Sequence, residues 1–194
     1  MIFNVEETGL FWKRLPNKKY ISKVEKNAQG SKACKERLTL LLGGNAAGDY
    51  KFKPLLIYAS ENPRPLKGIQ KRSLPVHYRW NKKAWMTATL FRDWVSSCAI
   101  PELRSYCEKE RLEFKILIVL DNAPSHPVDL DELSENIKFV YLPPNTTAIL
   151  QPMDQGTISN FKSYYLRRTF RELFTATEGI DNITMKTFWK NFTI

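Results

Sequence analysis

The sequence predicts an α/β domain in which helices flank a mixed sheet, and three observations support this. Ile116–Leu120 is an unbroken apolar run rich in β-branched residues, which is typical of a strand covered on both faces at the centre of a sheet. Residues 38–42 and 52–59 are strand-like runs joined by glycine-rich turn residues, a pattern that predicts an antiparallel hairpin. A further strand is predicted at residues 139–142, and the helical segment before it makes it a parallel neighbour of Ile116–Leu120.

The first residues predict a short strand over 1–6, which residues 8–12 then leave. Side chains alternate along a strand, so Glu6 and Glu7 should point to opposite faces of the sheet if the strand continues. Pro54 lacks a donor N–H, so its strand lies at an edge or begins there. Residues 61–83, with three prolines and a glycine, are predicted to be irregular.

Helices are predicted in the second half of the chain. Residues 87–98 carry an amphipathic stripe, and Pro101 fits the first turn of a second helix over 102–111. Acidic residues 129–135 predict a short exposed helix. Pro152 fits the first turn of a helix that reaches about residue 174, and the last twenty residues resemble the start of another helix.

Composition and charge restrict the class of protein. The 194 residues are enough for one domain with a real core, and no apolar run is long enough to cross a bilayer. The three cysteines are odd in number and lack metal-ligand spacing, which favours a reduced intracellular protein without a zinc site, with Cys98 and Cys107 in the core. Thirty Lys and Arg residues against twenty Asp and Glu residues leave a net charge of +10, which favours a polyanionic partner such as nucleic acid.

Aromatic residues are interleaved with the cations of residues 61–85. Trp80 and Trp85 stand beside Arg79, Lys82 and Lys83. Cations next to aromatic rings can hold a nucleic-acid strand by charge and stacking. The alternative is that both tryptophans belong to the core.

Three acidic residues occur at positions where a site could form. Asp121 stands where the apolar strand leaves the core, which is where ligands bind in open α/β sheets, although a carboxylate there can also cap a turn. Asp154 lies at a helix start, where the helix dipole alone would stabilise it. If these residues converge with an acid of the first strand, their mutual repulsion needs a divalent cation, and two Mg²⁺ ions about 3.5–4 Å apart are the arrangement used for phosphodiester cleavage.

Sequence motifs in the same order and spacing identify a family resemblance. They include N-V-E-E-T-G-L-F-W at residues 4–12, and the most specific are L-D-N-A-P-S-H-P at 120–127 and L-P-P-N-T-T at 142–147 followed by Q-P-M-D-Q-G at 151–156. Nearly the whole chain resembles the DDE superfamily endonuclease domain of pogo/Tigger transposases, a group with Jerky-like and centromere-protein-B-like domesticated relatives. The resemblance implies a ribonuclease-H-like fold, a nuclear location, and DNA as partner, besides a second copy of the chain or chromatin proteins.

The same resemblance implies a catalytic site. In active members, Mg²⁺ or Mn²⁺, two ions in all, supports cut-and-paste strand transfer, and the metal ligands carried over by position are Glu6, Asp121 and Asp154. The family has Asp where this chain has Glu6, and a misplacement of about 1 Å can cost on the order of 100-fold in rate. The cations expected to contact DNA are Lys13, Arg14, Lys82, Lys83, Lys162, Arg167, Arg168 and Arg171.

The domain organisation and the activity leave alternatives open. Residues 1–194 are expected to form one catalytic-type domain that is truncated at its C-terminus and lacks the family's upstream helix-turn-helix domains. The first hypothesis is a domain that binds DNA and whose cleavage site is impaired by Glu6. The second is an active metal-dependent DNA endonuclease or transposase. The others are a decayed copy without a role and a metal hydrolase acting on another substrate.

Overall fold

Six strands form one mixed sheet in the computed structural model, which describes residues 1–13, 36–178 and 183–193. Their bounds are β1 (Ile2–Leu10), β2 (Leu38–Asn45), β3 (Leu55–Tyr58), β4 (His77–Trp80), β5 (Ile116–Leu120) and β6 (Ile137–Tyr141). The spatial order is β4-β3-β2-β1-β5-β6. The predicted hairpin of β2 and β3 is antiparallel and the predicted pair of β5 and β6 is parallel, so both predictions are confirmed.

Strand β1 connects the two halves of the sheet. It is antiparallel to β2 along Phe3 to Leu10 and parallel to β5, where Asn4 lies opposite Val119. Two residues beyond this pair on each strand are Glu6 and Asp121. The pairing register therefore places these two acids at the same level, at the end of the sheet where β5 stops.

Three strand predictions differ from the structure. Strand β1 runs on to Leu10 because its ladder to β2 continues and buries Thr8 and Leu10. Strand β4 was missed, since its sequence H-Y-R-W contains no apolar run and ends in the exposed Trp80. Strand β5 lies inside the sheet but next to the edge strand β6 rather than at the centre. Pro54 immediately precedes β3, which agrees with the prediction that its strand begins there.

One face of the sheet is covered by a long helical segment. It consists of α1 (Ala88–Trp94), a π-helical turn (Val95–Ala99) and α2 (Ile100–Glu110). The Thr87 side chain caps it by accepting a hydrogen bond from the Leu90 N–H. The two predicted helices are thus continuous. Their buried residues, among them Phe91, Trp94, Leu103 and both described cysteines, form the main core with Phe3, Val5 and the inner side chains of β5. Cys34 lies outside the described residues.

The opposite face carries the last part of the chain. After α3 (Thr147–Leu150) come a 3-10 helix (Pro152–Asp154), α4 (Thr157–Glu178) and α5 (Met185–Asn191). The predicted helix from Pro152 is interrupted because Gly156 adopts a left-handed φ of 121°, and α4 begins only after it. The predicted terminal helix is confirmed as α5, and the predicted acidic helix is a 3-10 turn (Leu130–Leu133). No helix within the described residues is long and apolar enough to span a membrane.

Candidate active site

A pair of buried amide side chains fixes the backbone around the three candidate acids. The Asn4 side chain donates to the Val119 carbonyl at 3.0 Å and accepts from the Met153 N–H at 3.0 Å. It also donates to the side-chain oxygen of Gln151, which is fully buried. Each contacted residue is close in sequence to one of the acids. Glu6 is two residues after Asn4, Asp121 is two residues after Val119, and Asp154 directly follows Met153. We call Asn4 and Gln151 the amide clamp, because it ties together the three segments that carry the acids.

The Glu6 carboxylate is bound on both oxygens by groups of the protein. One oxygen accepts a hydrogen bond from Gln151 Nε2, and the other accepts from the Glu7 N–H at 2.9 Å. Burial raises the pKa of Glu6 to about 8, with further contributions from the negative charges of Glu7 and Asp121 that exceed the lowering effects of Gln151 and His126. Without a bound metal ion, these surroundings therefore favour the protonated form of Glu6.

The other face of β1 presents Glu7 to a buried histidine. His126 Nε2 lies 2.9 Å from a Glu7 oxygen, and its Nδ1 lies 3.0 Å from the Asp121 carbonyl oxygen and 2.9 Å from the Asp121 carboxylate. Both ring nitrogens thus lie against oxygen atoms that can accept a hydrogen bond, which favours the doubly protonated imidazolium. Burial alone lowers the pKa of His126, but the Glu7 hydrogen bond and the charges of Glu7 and Asp121 outweigh it and raise this pKa to about 9.

One carboxylate oxygen at this place is left without a partner. Within the described residues, Oε1 of Glu7 is buried and has no hydrogen-bond partner, whereas Oδ1 of Asp121 lies 2.9 Å from His126 Nδ1 without hydrogen-bond geometry. Burial also raises the pKa of Asp121, to which the charge of Glu7 adds. An unpartnered buried carboxylate oxygen is costly, and a hard divalent cation that prefers oxygen ligands would satisfy it. The donor set at the end of the sheet therefore fits a cation of this kind.

The structure brings the predicted acids together only in part. Glu6 and Asp121 are close enough for the charge of Asp121 to raise the pKa of Glu6. Asp154 lies at the end of its 3-10 helix, beside the clamp, and its side chain is exposed. Among the described residues, no three Asp, Glu, His or Cys side chains are already arranged to hold one ion. The predicted grouping of Glu6, Asp121 and Asp154 stays a prediction.

The predicted DNA-contacting cations fall into three groups. Lys82 and Lys83 follow β4 and are exposed, as are Arg167, Arg168 and Arg171 on α4. Lys13 is half-buried with its ammonium 4.6 Å from the Trp12 ring centroid, and Lys162 is also half-buried. Arg14 lies outside the described residues. Trp80 and Trp85 are 44% and 52% exposed, so the alternative that they belong to the core is wrong.

Sequence reasoning missed four residues that build the site. Asn4, Glu7, His126 and Gln151 were parts of the quoted motifs but received no role. A signal was present, because a polar side chain flanked by buried apolar residues needs a hydrogen-bond partner. The partners themselves are more than a hundred residues away along the chain, so the sequence could not identify them.

Residues 35–194 match the sequence pattern of the DDE superfamily endonuclease family. Similar proteins include the human (Homo sapiens) Jerky protein homolog, 35% identical over 85% of this chain and 29% of its own length. The human Tigger transposable element-derived protein 7 is 34% identical over 93% of this chain and 34% of its own length. The chain belongs to the DDE superfamily endonuclease family. It spans about a third of the length of these Jerky and Tigger relatives.

Solved structures agree with this fold. A pre-cleavage Mos1 transpososome matches 97% of this chain and 51% of its own chain, with a TM-score of 0.57 and 12% identity. The Mos1 mariner paired end complex with Mn matches with a TM-score of 0.56 and 13% identity. At such low identity the comparison establishes the fold, which is ribonuclease-H-like as predicted, and nothing further.

Proposed function

We propose that this transposase-derived domain binds DNA in the nucleus and carries a divalent-metal-dependent cleavage and strand-transfer site that Glu6 impairs. The observation that carries the proposal is the cluster of three carboxylates, Glu6 and Glu7 on β1 and Asp121 just after β5, in which a buried Glu7 oxygen has no partner within the described residues. This acidic cluster belongs to a chain with a net charge of +10. Acids that can hold divalent cations, in a chain whose net charge favours contacts with phosphates, suit a nucleic-acid phosphodiester substrate.

The metal ligands we propose are Glu6, Asp121 and Asp154, with Mg²⁺ or Mn²⁺ as the ion. When bound, such ions activate the attacking oxygen and stabilise the leaving oxygen of a phosphodiester. The protein's own part is to place the acids and limit their repulsion. The amide clamp positions the three segments, and the His126 imidazolium offsets the charges of Glu7 and Asp121.

The hydrogen bonds of Glu6 support the impairment. Its longer side chain lets the carboxylate accept from Gln151 and from the Glu7 N–H at once. A carboxylate held by two donors has fewer lone pairs for an ion, and both bonds must be weakened before it can turn toward one. An aspartate at the same position is one methylene shorter and would make this arrangement harder to reach.

The DNA-binding surface we propose includes the exposed cations of α4. Arg167 and Arg171 are exposed, and Arg168 is exposed and pairs with Glu172. Helix α4 is anchored beside the end of β1, because the Tyr165 hydroxyl donates to the Trp12 carbonyl at 2.9 Å. A strand lying along α4 would therefore pass near the end of β1, which lies four residues beyond Glu6.

A plasmid nicking assay tests the proposed site. Supercoiled DNA is incubated with Mg²⁺ or Mn²⁺ and with wild type, Glu6→Asp, or Glu6→Asp combined with Asp121→Ala. We expect little nicking by the wild type, an increase on the order of 100-fold with Glu6→Asp, and loss of nicking in the double variant. Glu108→Asp makes the same shortening at an exposed position of α2 and should change nothing.

The outcomes separate the competing functions. Rapid wild-type nicking that Asp121→Ala abolishes would identify an active endonuclease and refute the impairment. If no variant nicks the plasmid but DNA binding is salt-sensitive, the domain binds DNA and its cleavage activity cannot be restored by Glu6→Asp. A dissociation constant for DNA that stays constant from low to high salt would refute the binding function itself.

A further inference from the structure

An open cleft lies at the same end of the sheet as the acids. It is formed where β1 and β3 end and β2 begins, and its volume is about 420 Å³. Its lining combines aromatic, cationic and acidic side chains: Phe11, Tyr58, Trp85, Arg37, Lys83 and Glu36. Phe11 is five residues beyond Glu6, which corresponds to roughly 17 Å at about 3.3 Å per residue of strand. One bound DNA strand could therefore reach both places.

Trp85 is exposed and yet held in a fixed position. Its backbone N–H donates to the Asn81 side-chain oxygen at 3.2 Å, and its carbonyl accepts from the Asn81 side-chain amide. Ala84, just before it, adopts a positive φ of 53°, and its carbonyl accepts from the Thr39 hydroxyl at 2.7 Å. The backbone that carries Trp85, a residue that is 52% exposed, is therefore already ordered, which lowers the entropy cost of binding there.

Two cations stand beside the Trp85 ring. The Arg37 guanidinium carbon is 5.3 Å and Lys83 Nζ is 5.7 Å from the ring centroid. Arg37 lies against Gly9, where a Cβ would come within 2.9 Å of its Nε, and it donates to the Thr39 hydroxyl. These contacts hold the guanidinium beside the Trp85 ring, at the wall of the cleft.

We propose that this cleft binds an unpaired nucleobase of DNA, stacked on Trp85 while Arg37 and Lys83 contact the adjoining strand. The proposal rests on the DNA-binding function proposed above and adds the part of the substrate that the cleft recognises. A fixed aromatic ring flanked by cations is the arrangement that holds bases of single strands. Glu36 at the rim can accept a hydrogen bond from an exocyclic amino group of the base.

Fluorescence anisotropy of labelled oligonucleotides tests the proposal. The probes are a 12-nucleotide single strand, the same sequence as a duplex, and a duplex with one bulged base. We expect Trp85→Ala to weaken binding of an unpaired base about 5-fold to 150-fold and Trp85→Phe to restore most of it. Trp85→Ala should leave the salt dependence unchanged, whereas Lys83→Ala should lower the slope of log K against log salt by about 0.7.

Trp80→Ala is the matched control, because Trp80 is 44% exposed on β4 but does not line the cleft. Thermal melting of each variant checks that it is folded. Preference for the single strand over the bulged duplex would identify a free strand as ligand, and equal affinity would identify a base extruded from a duplex. If the Trp85→Ala variant binds the unpaired base as tightly as wild type, the cleft proposal is wrong. If Lys83→Ala and Arg171→Ala nevertheless weaken DNA binding, the proposed DNA-binding function still holds. Absence of any DNA binding overturns both.

Discussion

Glu6 and Glu7 are neighbours on one strand, yet the two faces of β1 treat them differently. Glu6 faces uncharged amides, and its oxygens accept from Gln151 and from the backbone. Glu7 faces the imidazolium of His126 and keeps one buried oxygen without a donor in the described part of the chain. Glu6 is therefore stabilised by hydrogen bonds from uncharged groups, and Glu7 is stabilised by a positively charged side chain.

This difference shows what each face can give to a cation. On the Glu7 face, a positive group already stands between Glu7 and Asp121, so the acids there can stay ionised. On the Glu6 face no described cation replaces it, and burial favours the protonated acid. A metal ion would supply on the Glu6 face the charge that His126 supplies on the other.

Removing the charge from the Glu7 face should have the largest effect. His126→Ala leaves the carboxylates of Glu7 and Asp121 buried without their shared cation, and it removes a ring that packs 4.5 Å from the Phe91 ring. We expect the free energy of unfolding to fall by about 3–5 kcal/mol, measured by urea denaturation at pH 7. His77→Ala is the control, because His77 pairs with Glu102 at a more exposed position and should cost about 1 kcal/mol or less. Equal losses for both histidines would contradict the distinction between the faces.

Breaking the amide clamp should cost somewhat less. Gln151→Ala removes one of the two acceptors of the Asn4 amide and the side-chain donor to a Glu6 oxygen, at a fully buried position. We expect a loss of about 2–3 kcal/mol in the same denaturation experiment. Gln155→Ala, at an exposed position four residues later, should change stability by less than about 0.5 kcal/mol. A Gln151→Ala variant as stable as wild type would show that water replaces the clamp.

Most of the sheet could be predicted because its signals are local. The apolar run of β5, the glycine turn between β2 and β3 and the short F-V-Y-L run of β6 each predict their own strand. Strand β4 could not be found, because H-Y-R-W becomes a strand only by pairing with β3, with Leu55 opposite His77. The extension of β1 beyond Glu6 likewise depends on its ladder to β2, which is a tertiary interaction.

The site was predictable by type and only partly by geometry. The motifs selected Asp121 and Glu6, and the alternation rule placed Glu6 and Glu7 on opposite faces, as their contacts with Gln151 and His126 confirm. The contact between His126 and Glu7 of β1 could not be predicted from periodicity. It depends on the turn after β5, which places His126 beside both Asp121 and Glu7. The roles of Asn4 and Gln151 have the same origin.

The response to metal should sharpen the comparison of the two glutamates. Glu6→Asp removes the reach to Gln151 and frees the carboxylate, so we expect Mg²⁺ or Mn²⁺ to bind about tenfold more tightly than to wild type. At saturating metal this corresponds to about 1.4 kcal/mol of additional stabilisation, seen as a larger rise in Tm. Glu7→Asp should not increase the response, because it draws the carboxylate away from His126. A larger gain with Glu7→Asp would make Glu7 the ligand on β1.

The last prediction is a dependence of stability on pH in the presence of EDTA. The pKa of Glu6 is raised to about 8 and that of His126 to about 9, so both groups bind a proton more tightly in the folded protein than in the unfolded chain. Their stabilisation is complete below the ordinary pKa of each group and is lost as the pH rises through 8 and 9. We therefore expect Tm to fall between about pH 5 and pH 9. Glu6→Gln cannot ionise, so it should reduce this fall, whereas Glu108→Gln on the exposed side of α2 should not. A Tm that rises over this range would contradict the proton held by Glu6, and with it the difference between the two faces of β1.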